Sequence, residues 1–239
     1  MPIIVATTTT PFTPIVREAS TTDAKTILDK ASILLNDSGV TRWTVSELLG
    51  WLNDAQLEVA TLVPNSNTVT SSILLQAGSI QGTPSNAIRI IEFIRNTGDD
   101  GVTPGNAIRQ IERKSLDRYL PNWSNDTPAT AVVHAMYDAE DNNTVFYVWP
   151  PQTSAPRYIE INYSVIPATI ANATAGTKIT IADYYANALL DATLYRAFAK
   201  DSDSANQAAR SQEHYKMFAA AIGAKFGADN NANNTPKAQ

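Results

Sequence analysis

Residues Asp138-Ala139-Glu140-Asp141-Asn142-Asn143 form the densest set of oxygen donors in the chain. Carboxylates and amide carbonyls are the ligands that a hard cation such as calcium takes. Their order lacks the ligand spacing of an EF-hand, and Asp and Asn are also ordinary turn formers. The segment lies between two strand-like runs, so a solvated hairpin loop is expected and no metal is assigned. Glycoside hydrolysis would need a carboxylate pair in a cleft; Asp138, Glu140 and Asp141 are the acids to test for it, and no pair stands out. Arg109, Arg113, Lys114 and Arg118 make the one basic concentration. Read as a strand leading into a turn, they could meet nucleic acid phosphates, an acidic partner ring, or only solvent and salt bridges. His134 falls in a strand pattern and His214 on a helix, with no second His or Cys beside either, so packing or surface roles are expected. Ser79, in Ala77-Gly78-Ser79-Ile80-Gln81, lacks the second glycine of a nucleophile elbow. No phosphate loop, dinucleotide fingerprint or HExxH motif occurs. These residues predict no enzyme, no catalytic residue and no cofactor.

Composition sets outer bounds. The chain has 239 residues, 44% hydrophobic and 17% charged, with a formal net charge of -5. That is enough apolar material for a sizeable core, in one domain or two small ones, and it excludes a wholly disordered or highly charged scaffold. Dedicated DNA binders usually carry a basic excess, which is missing here. There is no cysteine, so disulfides, zinc ribbons and thiol chemistry are excluded. Met1 to Ala6 has no basic region and too short an apolar run for a signal peptide. Nothing approaches the roughly 18 apolar residues of a membrane span. The expectation is a soluble chain made in a cytoplasm.

Periodicity then places the elements. Residues 1–20, with Thr7 to Thr10, Pro11 and Pro14, read as an extended arm. Residues 22–37 read as a helix with Ile27, Leu28, Ala31, Leu34 and Leu35 on its apolar face, capped at Thr22 or Asp23 and stopped by Asn36 to Gly39, with the glycine in a left-handed position. Thr44-Val45-Ser46-Glu47 has capping-box spacing and starts a second helix, striped by Leu48, Leu52, Ala55, Val59 and Leu62. The two form a helical hairpin over 21–66. Residues 67–178 change to the period of strands. Within them, 83–92 and 103–112 resemble one another and read as a hairpin about Asp99-Asp100-Gly101. Ala131 to Tyr137 and Thr144 to Trp149 are further strands, the latter closed by Pro150-Pro151. Residues 158–165 alternate Ile159, Ile161, Tyr163 and Val165 with Glu160, Asn162 and Ser164, the pattern of a half-buried antiparallel strand. A second helical hairpin covers 179–226. There Asp183 caps a run with Tyr184, Ala188, Leu189, Ala192 and Tyr195 on one side, and Tyr215, Ile222 and Phe226 belong to the last helix, which ends at Gly227. Residues 227–239 carry no large apolar side chain and read as a flexible polar tail. Trp43, Trp51, Trp123 and Trp149 sit where core and element ends would put them. Helices, then strands, then helices argue α+β: a helical bundle built from the N- and C-terminal helices, with a central antiparallel β insertion.

A resemblance adds a function. Leu28-Asp29-Lys30-Ala31-Ser32-Ile33-Leu34-Leu35-Asn36-Asp37, then Arg42-Trp43-Thr44, then Glu47-Leu48-Leu49-Gly50-Trp51-Leu52-Asn53-Asp54-Ala55-Gln56 resemble the opening of tailed-phage head-to-tail adaptor (connector or neck) proteins, those of short-tailed phages above all. Arg95-Asn96, Leu116-Asp117 to Trp123, Phe146 to Pro151 and the Tyr-rich stretch from Tyr184 to Phe198 follow in the family's order. The likeness covers most of residues 24–226. It implies a structural virion protein in the neck: a ring, commonly dodecameric, that docks on the portal, extends the DNA channel and offers a surface to tail or nozzle proteins, with DNA passing through unread and no membrane involved. It also implies portal binding through the C-terminal extension, here Gly227, Asn230, Asn231, Asn233, Asn234 and Lys237. Arg109, Arg113, Lys114 and Arg118 would then face a neighbouring subunit or the channel. The alternative from the residues themselves is a carbohydrate- or receptor-binding module using exposed Trp and Tyr rings.

Overall fold

The structure is a computed structural model; it describes residues 15–16, 20–200 and 205–234, without the side chains of 15–16 and 224–234. The fold is mixed α+β, with five helices and two sheets among the described residues. The chain divides into two compact units, Glu18–Asn67 with Ile166–Gln239, and Thr68–Val165 with Met1–Arg17. None of the described helices is long and apolar enough to cross a membrane.

The helical unit contains α1 (Ala24–Leu34), α2 (Val45–Leu62), α4 (Ala186–Lys200) and α5 (Ala205–Asn234). All four contribute to one core. Small residues, Ala24, Ala31, Ala55, Ala188, Ala192 and Ala197, are fully or nearly fully buried there, which lets helix backbones approach closely around Leu52, Leu189, Leu194 and Tyr185. Asp37 shapes the α1–α2 turn. Its carboxylate accepts the backbone N–H groups of Thr41, Arg42 and Trp43 at 2.9–3.1 Å, and those bonds, that to Trp43 foremost, hold its pKa below the usual range. The left-handed positions of this turn are Asn36 and the β-branched Val40, at φ 56° and 48°, rather than the expected Gly39; the Asp37 bonds outweigh the steric cost. Trp43 is thereby buried and donates from Nε1 to the carbonyl of Ala197 at 3.1 Å. The capping box at Thr44 and Glu47 forms as expected, and Glu47 also bonds Lys200.

The sequence motif from Trp51 to Gln56 has a different purpose from helix propensity. Asn53 Nδ2 donates to the carbonyl of Ile170 at 3.0 Å while its Oδ1 accepts the Ile170 N–H at 2.9 Å. Gln56 is 0% exposed, and its Oε1 accepts the N–H and hydroxyl of Thr180 at 2.7 and 2.9 Å. Two amides of α2 therefore hold the segment that returns to the helical unit. Asp183 acts in the same way rather than as a helix cap. It opens a 3₁₀ turn (Asp183–Tyr185), and its carboxylate takes the hydroxyls of Ser20 and Thr21 and the backbone N–H groups of Thr21 and Thr22. The tighter turn also moves Tyr185 into the core and leaves Tyr184 outside, reversing the expectation from helical spacing. α5 runs past Gly227 to Asn234. A glycine costs about 1 kcal/mol in a helix, but extending an existing helix gains one hydrogen bond per residue, and no proline intervenes before Pro236.

The second unit is built from two sheets. One has the order β1 (Ile15–Val16), β2 (Thr68–Leu74), β8 (Tyr158–Val165), β4 (Ala87–Asn96), all antiparallel. The other has the order β3 (Gly78–Gly82), β7 (Val145–Gln152), β6 (His134–Met136), β5 (Arg109–Gln110). Apolar faces of both share one core around Phe93, Phe146, Val148, Ile159 and Ile161. The expected hairpin about Asp99-Asp100-Gly101 only begins. Gly105 N–H reaches the carbonyl of Asn96 and Ile108 N–H that of Ile94; the chain then crosses to the other sheet, where β5 pairs with β6 in parallel. Asn96 fixes the crossing. Its side chain donates to the carbonyls of Asn106 and Val132 and accepts the Val132 N–H, all at 2.7–2.9 Å. Pro150-Pro151 do not end their strand. β7 continues to Gln152 because the register opposite β3 jumps between Tyr147 and Gln152, which frees both proline nitrogens from a ladder bond on that side. The polar face of β8 is not solvated either: Glu160 and Ser164 are buried, with Arg95 on Glu160 at 2.7 Å.

Two outcomes follow for the helical unit. Gln56→Ala leaves the Thr180 N–H without its partner, and a loss of about 2–3 kcal/mol is expected, read as a lower urea midpoint. Asp183 has its carboxyl held far below the usual carboxylate range, first by the Ser20 hydroxyl and then by Thr21 and Thr22. Because the folded pKa lies below the unfolded one, this stability is complete above the ordinary Asp value of about 4 and declines as pH falls towards the folded value. Asp183→Asn is expected to flatten the acid limb of stability against pH, measured by urea titration between pH 7 and pH 2.5.

Candidate functional site

The basic cluster lies on a helix, not on the expected strand. Only Arg109 is in a strand, β5; Arg113, Lys114 and Arg118 lie on α3 (Arg113–Tyr119). All four are exposed. α3 is anchored by Leu116, which joins Trp123 and Met136 in a small core, while Trp123 Nε1 donates to Asp117 at 2.7 Å. This anchoring turns Arg113 over the ring of Tyr147, 5.6 Å from its centroid, with Asp117 3.7 Å from its Nε.

The same placement opens a cleft of about 640 Å³. Arg113 and Lys114 line one part of it and Asp138 and Asp141 another, over Met136, Tyr137, Val145 and Tyr147. Two segments read separately in the sequence thus meet at one cleft. Arg109 and Arg118 are not among its lining. Within the acidic loop Asp138 Oδ1 accepts the Glu140 N–H at 3.0 Å and Asn142 Oδ1 accepts the N–H and hydroxyl of Thr144, while Asn143 Nδ2 ties the loop to the carbonyl of Ile88 on β4. These are the bonds of a turn. No group of three His, Asp or Glu side chains suited to a metal occurs among the described residues. Chemically, the cleft presents side chains of both charges beside two tyrosine rings. Its Tyr137 and Tyr147 went unnoticed in the sequence, where they read only as strand residues.

The histidines take the roles expected of them. His134 stacks on Trp149 at 5.6 Å. His214 meets Asp191 at 2.9 Å and stacks on Phe198, tying α5 to α4. Of the C-terminal candidates, Gly227, Asn230, Asn231, Asn233 and Asn234 fall on the last turns of α5 by backbone, and Lys237 lies outside the described residues.

A second concavity lies on the helical unit. Glu58, Leu62, Tyr215, Phe218, Ala219, Ile222 and Gly223 surround a mostly apolar groove of about 320 Å³ between α2 and α5.

Comparison with protein families matches the chain to the model described as SU10 adaptor protein, over residues 22–238. It bears out the resemblance to phage head-to-tail adaptors. No curated protein matches the chain.

Replacing Arg109, Arg113, Lys114 and Arg118 together by alanine is expected to move the melting temperature by no more than about 2 °C, because exposed charges contribute little to stability. Differential scanning calorimetry checks this, and an intact melt makes any lost assembly a surface effect.

Proposed function

The chain belongs to the SU10 adaptor protein family, and from that membership we infer the detailed role that follows. It is a structural component of a tailed phage, placed in the virion neck between portal and tail. Copies form a ring, dodecameric to match the portal, that extends the DNA channel and offers tail or nozzle proteins their attachment surface. DNA slides through without sequence-specific contact. The helical unit acts as a bundle of N- and C-terminal helices in which the β unit is an insertion, the bundle making the ring and meeting the portal, the β unit turned to the tail.

The family match along nearly the whole chain carries this reading. Added support comes from where the matching motifs fall. Arg42-Trp43-Thr44 and the run from Trp51 to Gln56 supply the Trp43, Asn53 and Gln56 bonds that close the helical unit, so the likeness rests on residues that build the fold. Residues 227–239 serve as the portal anchor, with Gly227, Asn230, Asn231, Asn233, Asn234 and Lys237 as its contacts. Arg109, Arg113, Lys114 and Arg118 meet a neighbouring subunit or the channel. One observation favours the alternative, a carbohydrate- or receptor-binding module: the charged cleft with Tyr137 and Tyr147 in its lining.

Sedimentation tests both readings. The full chain, mixed with the portal of the same phage, is expected to join it as a ring, and a chain lacking residues 227–239 is expected to keep its fold and bind more weakly. Equal binding by the shortened chain overturns the anchor. A full chain that ignores the portal while a sugar quenches its Trp fluorescence overturns the adaptor reading.

A further inference from the structure

The two sheets of the β unit end in the edge strands β1, β4, β3 and β5, and an edge strand offers unpaired backbone donors and acceptors to any extended chain that meets it. β4 is closed on its outer side. The Tyr137 hydroxyl accepts the Ile90 N–H at 3.2 Å, Asn143 Nδ2 donates to the carbonyl of Ile88, the carbonyl of Ile94 accepts the Ile108 N–H, and Gly105 and Asn106 bond the backbone of Asn96. Its ladder to β8 also shifts register three times. β1 and β5 are only two residues long, and β5 carries exposed Arg109. Short length, bulges and charge are the usual guards of an edge.

β3 is less protected. Gly78-Ser79-Ile80-Gln81-Gly82 holds no charge and no proline, and among the described residues β7 is its one strand partner. Ile80, at its centre, is 59% exposed. Gln81 is buried, and its amide bonds the backbone of Gln76 and Gly78. Those bonds fix the corner at which the chain passes from β2 to β3, and so from one sheet to the other.

A strand-forming run leads to the same corner. Ile3-Ile4-Val5-Ala6-Thr7-Thr8-Thr9-Thr10 has no charge, glycine or proline, and is β-branched at every position but Ala6. It precedes Ile15, which pairs with Thr70 antiparallel to β2. A chain that arrives antiparallel at Thr70 comes from the side of Leu74, where β2 gives way to the corner and then to β3. The 14 residues before Ile15 span up to about 46 Å when extended, against roughly 17 Å for a strand the length of β3.

We propose that residues 3–10 add to the open edge of β3 as an antiparallel outer strand, within the same chain. Pro11 and Pro14 then fall between this strand and β1, where a break in the ladder lets the arm cross from one sheet edge to the next. Main-chain hydrogen bonds supply the affinity, and Ile80 the side-chain contact. Tethering favours the chain's own segment over any other, because β1 holds it near β3 and closing so short a loop costs little. The added strand shields an edge that could otherwise pair with a second copy. This inference does not depend on the adaptor reading.

Hydrogen exchange, followed residue by residue, tests it. β3 amides that point away from β7 are expected to be protected in the full chain and to exchange at least tenfold faster once residues 2–13 are deleted, while amides of α2 keep their rates as a control on folding. The full-length variant carrying Val5→Pro and Thr8→Pro, whose prolines have no N–H to donate, is expected to show the same loss. Equal exchange in all three chains overturns the proposal. Protection that fades on dilution assigns the edge to a second copy and overturns the placement within one chain. The absence of cysteine allows a second measurement. With Ala6→Cys and Ile80→Cys introduced together, a short bis-maleimide is expected to link the two positions in a species of monomer mass. A link found only in dimers or larger species overturns the placement within one chain, and no link in any species overturns the position of the strand.

Discussion

The helical unit depends on closing a loop. Its first two helices end by Asn67 and its last two begin only after Ile166, so its core joins residues far apart in sequence. Hydrophobic burial supplies the driving force but no register. Register comes from the side-chain amides of Asn53 and Gln56, which read the backbone at Ile170 and Thr180, and from Asp183, which reads it at Thr21 and Thr22. Each is a polar group that would be costly to bury unpaired. That cost is what makes the contacts selective: a slip of one residue would leave an amide or a backbone N–H without its partner. Once the return is fixed, the alanine-rich seams of α1, α2 and α4 can pack closely, and α5 can lie along α4.

The β unit solves a comparable problem with one residue. Asn96 ends β4, and its amide ties together the carbonyl of Asn106 and both backbone groups of Val132. The chain changes sheets at that point without stranding a buried donor. The bulge opposite β3 does similar work for Pro150 and Pro151, which a regular central strand could not hold. Both devices spare the chain the backbone groups that a regular ladder would leave without partners.

What the sequence disclosed follows from which interactions are local. The capping box at Thr44 and Glu47, the stripe of α2 down to Val59 and the alternation in β8 involve near neighbours, and each was legible. The left-handed Val40 was not, because the Asp37 carboxylate overrides a β-branched residue's preference. Nor was the tight turn at Asp183, whose purpose is set by partners more than 150 positions away. The polar face of β8 looks solvent-facing by alternation alone, yet Glu160 and Ser164 are buried. The basic cluster was visible as composition; that it belongs to a helix, and that it meets the acidic loop, depended on Leu116 finding Trp123 and Met136. Leu34, Leu62 and Tyr215 fit the helical period without fitting the core, since periodicity reports a face and not what covers it.

The helical unit is discontinuous in sequence, with residues 68–165 running between its two halves. The bonds that close the helical unit lie among its own residues, while the other unit is made of residues 68–165 together with the strand β1 that precedes the helices. Loop-closure entropy grows only slowly, by about 0.6 kcal/mol for each doubling of length. An insert of different size or topology between Asn67 and Ile166 would therefore tax the helical unit little, provided that Asn53, Gln56 and Asp183 kept their partners. On those terms the helical framework would bear an exchange of the segment between Asn67 and Ile166 more readily than the loss of any of the three side chains that close it.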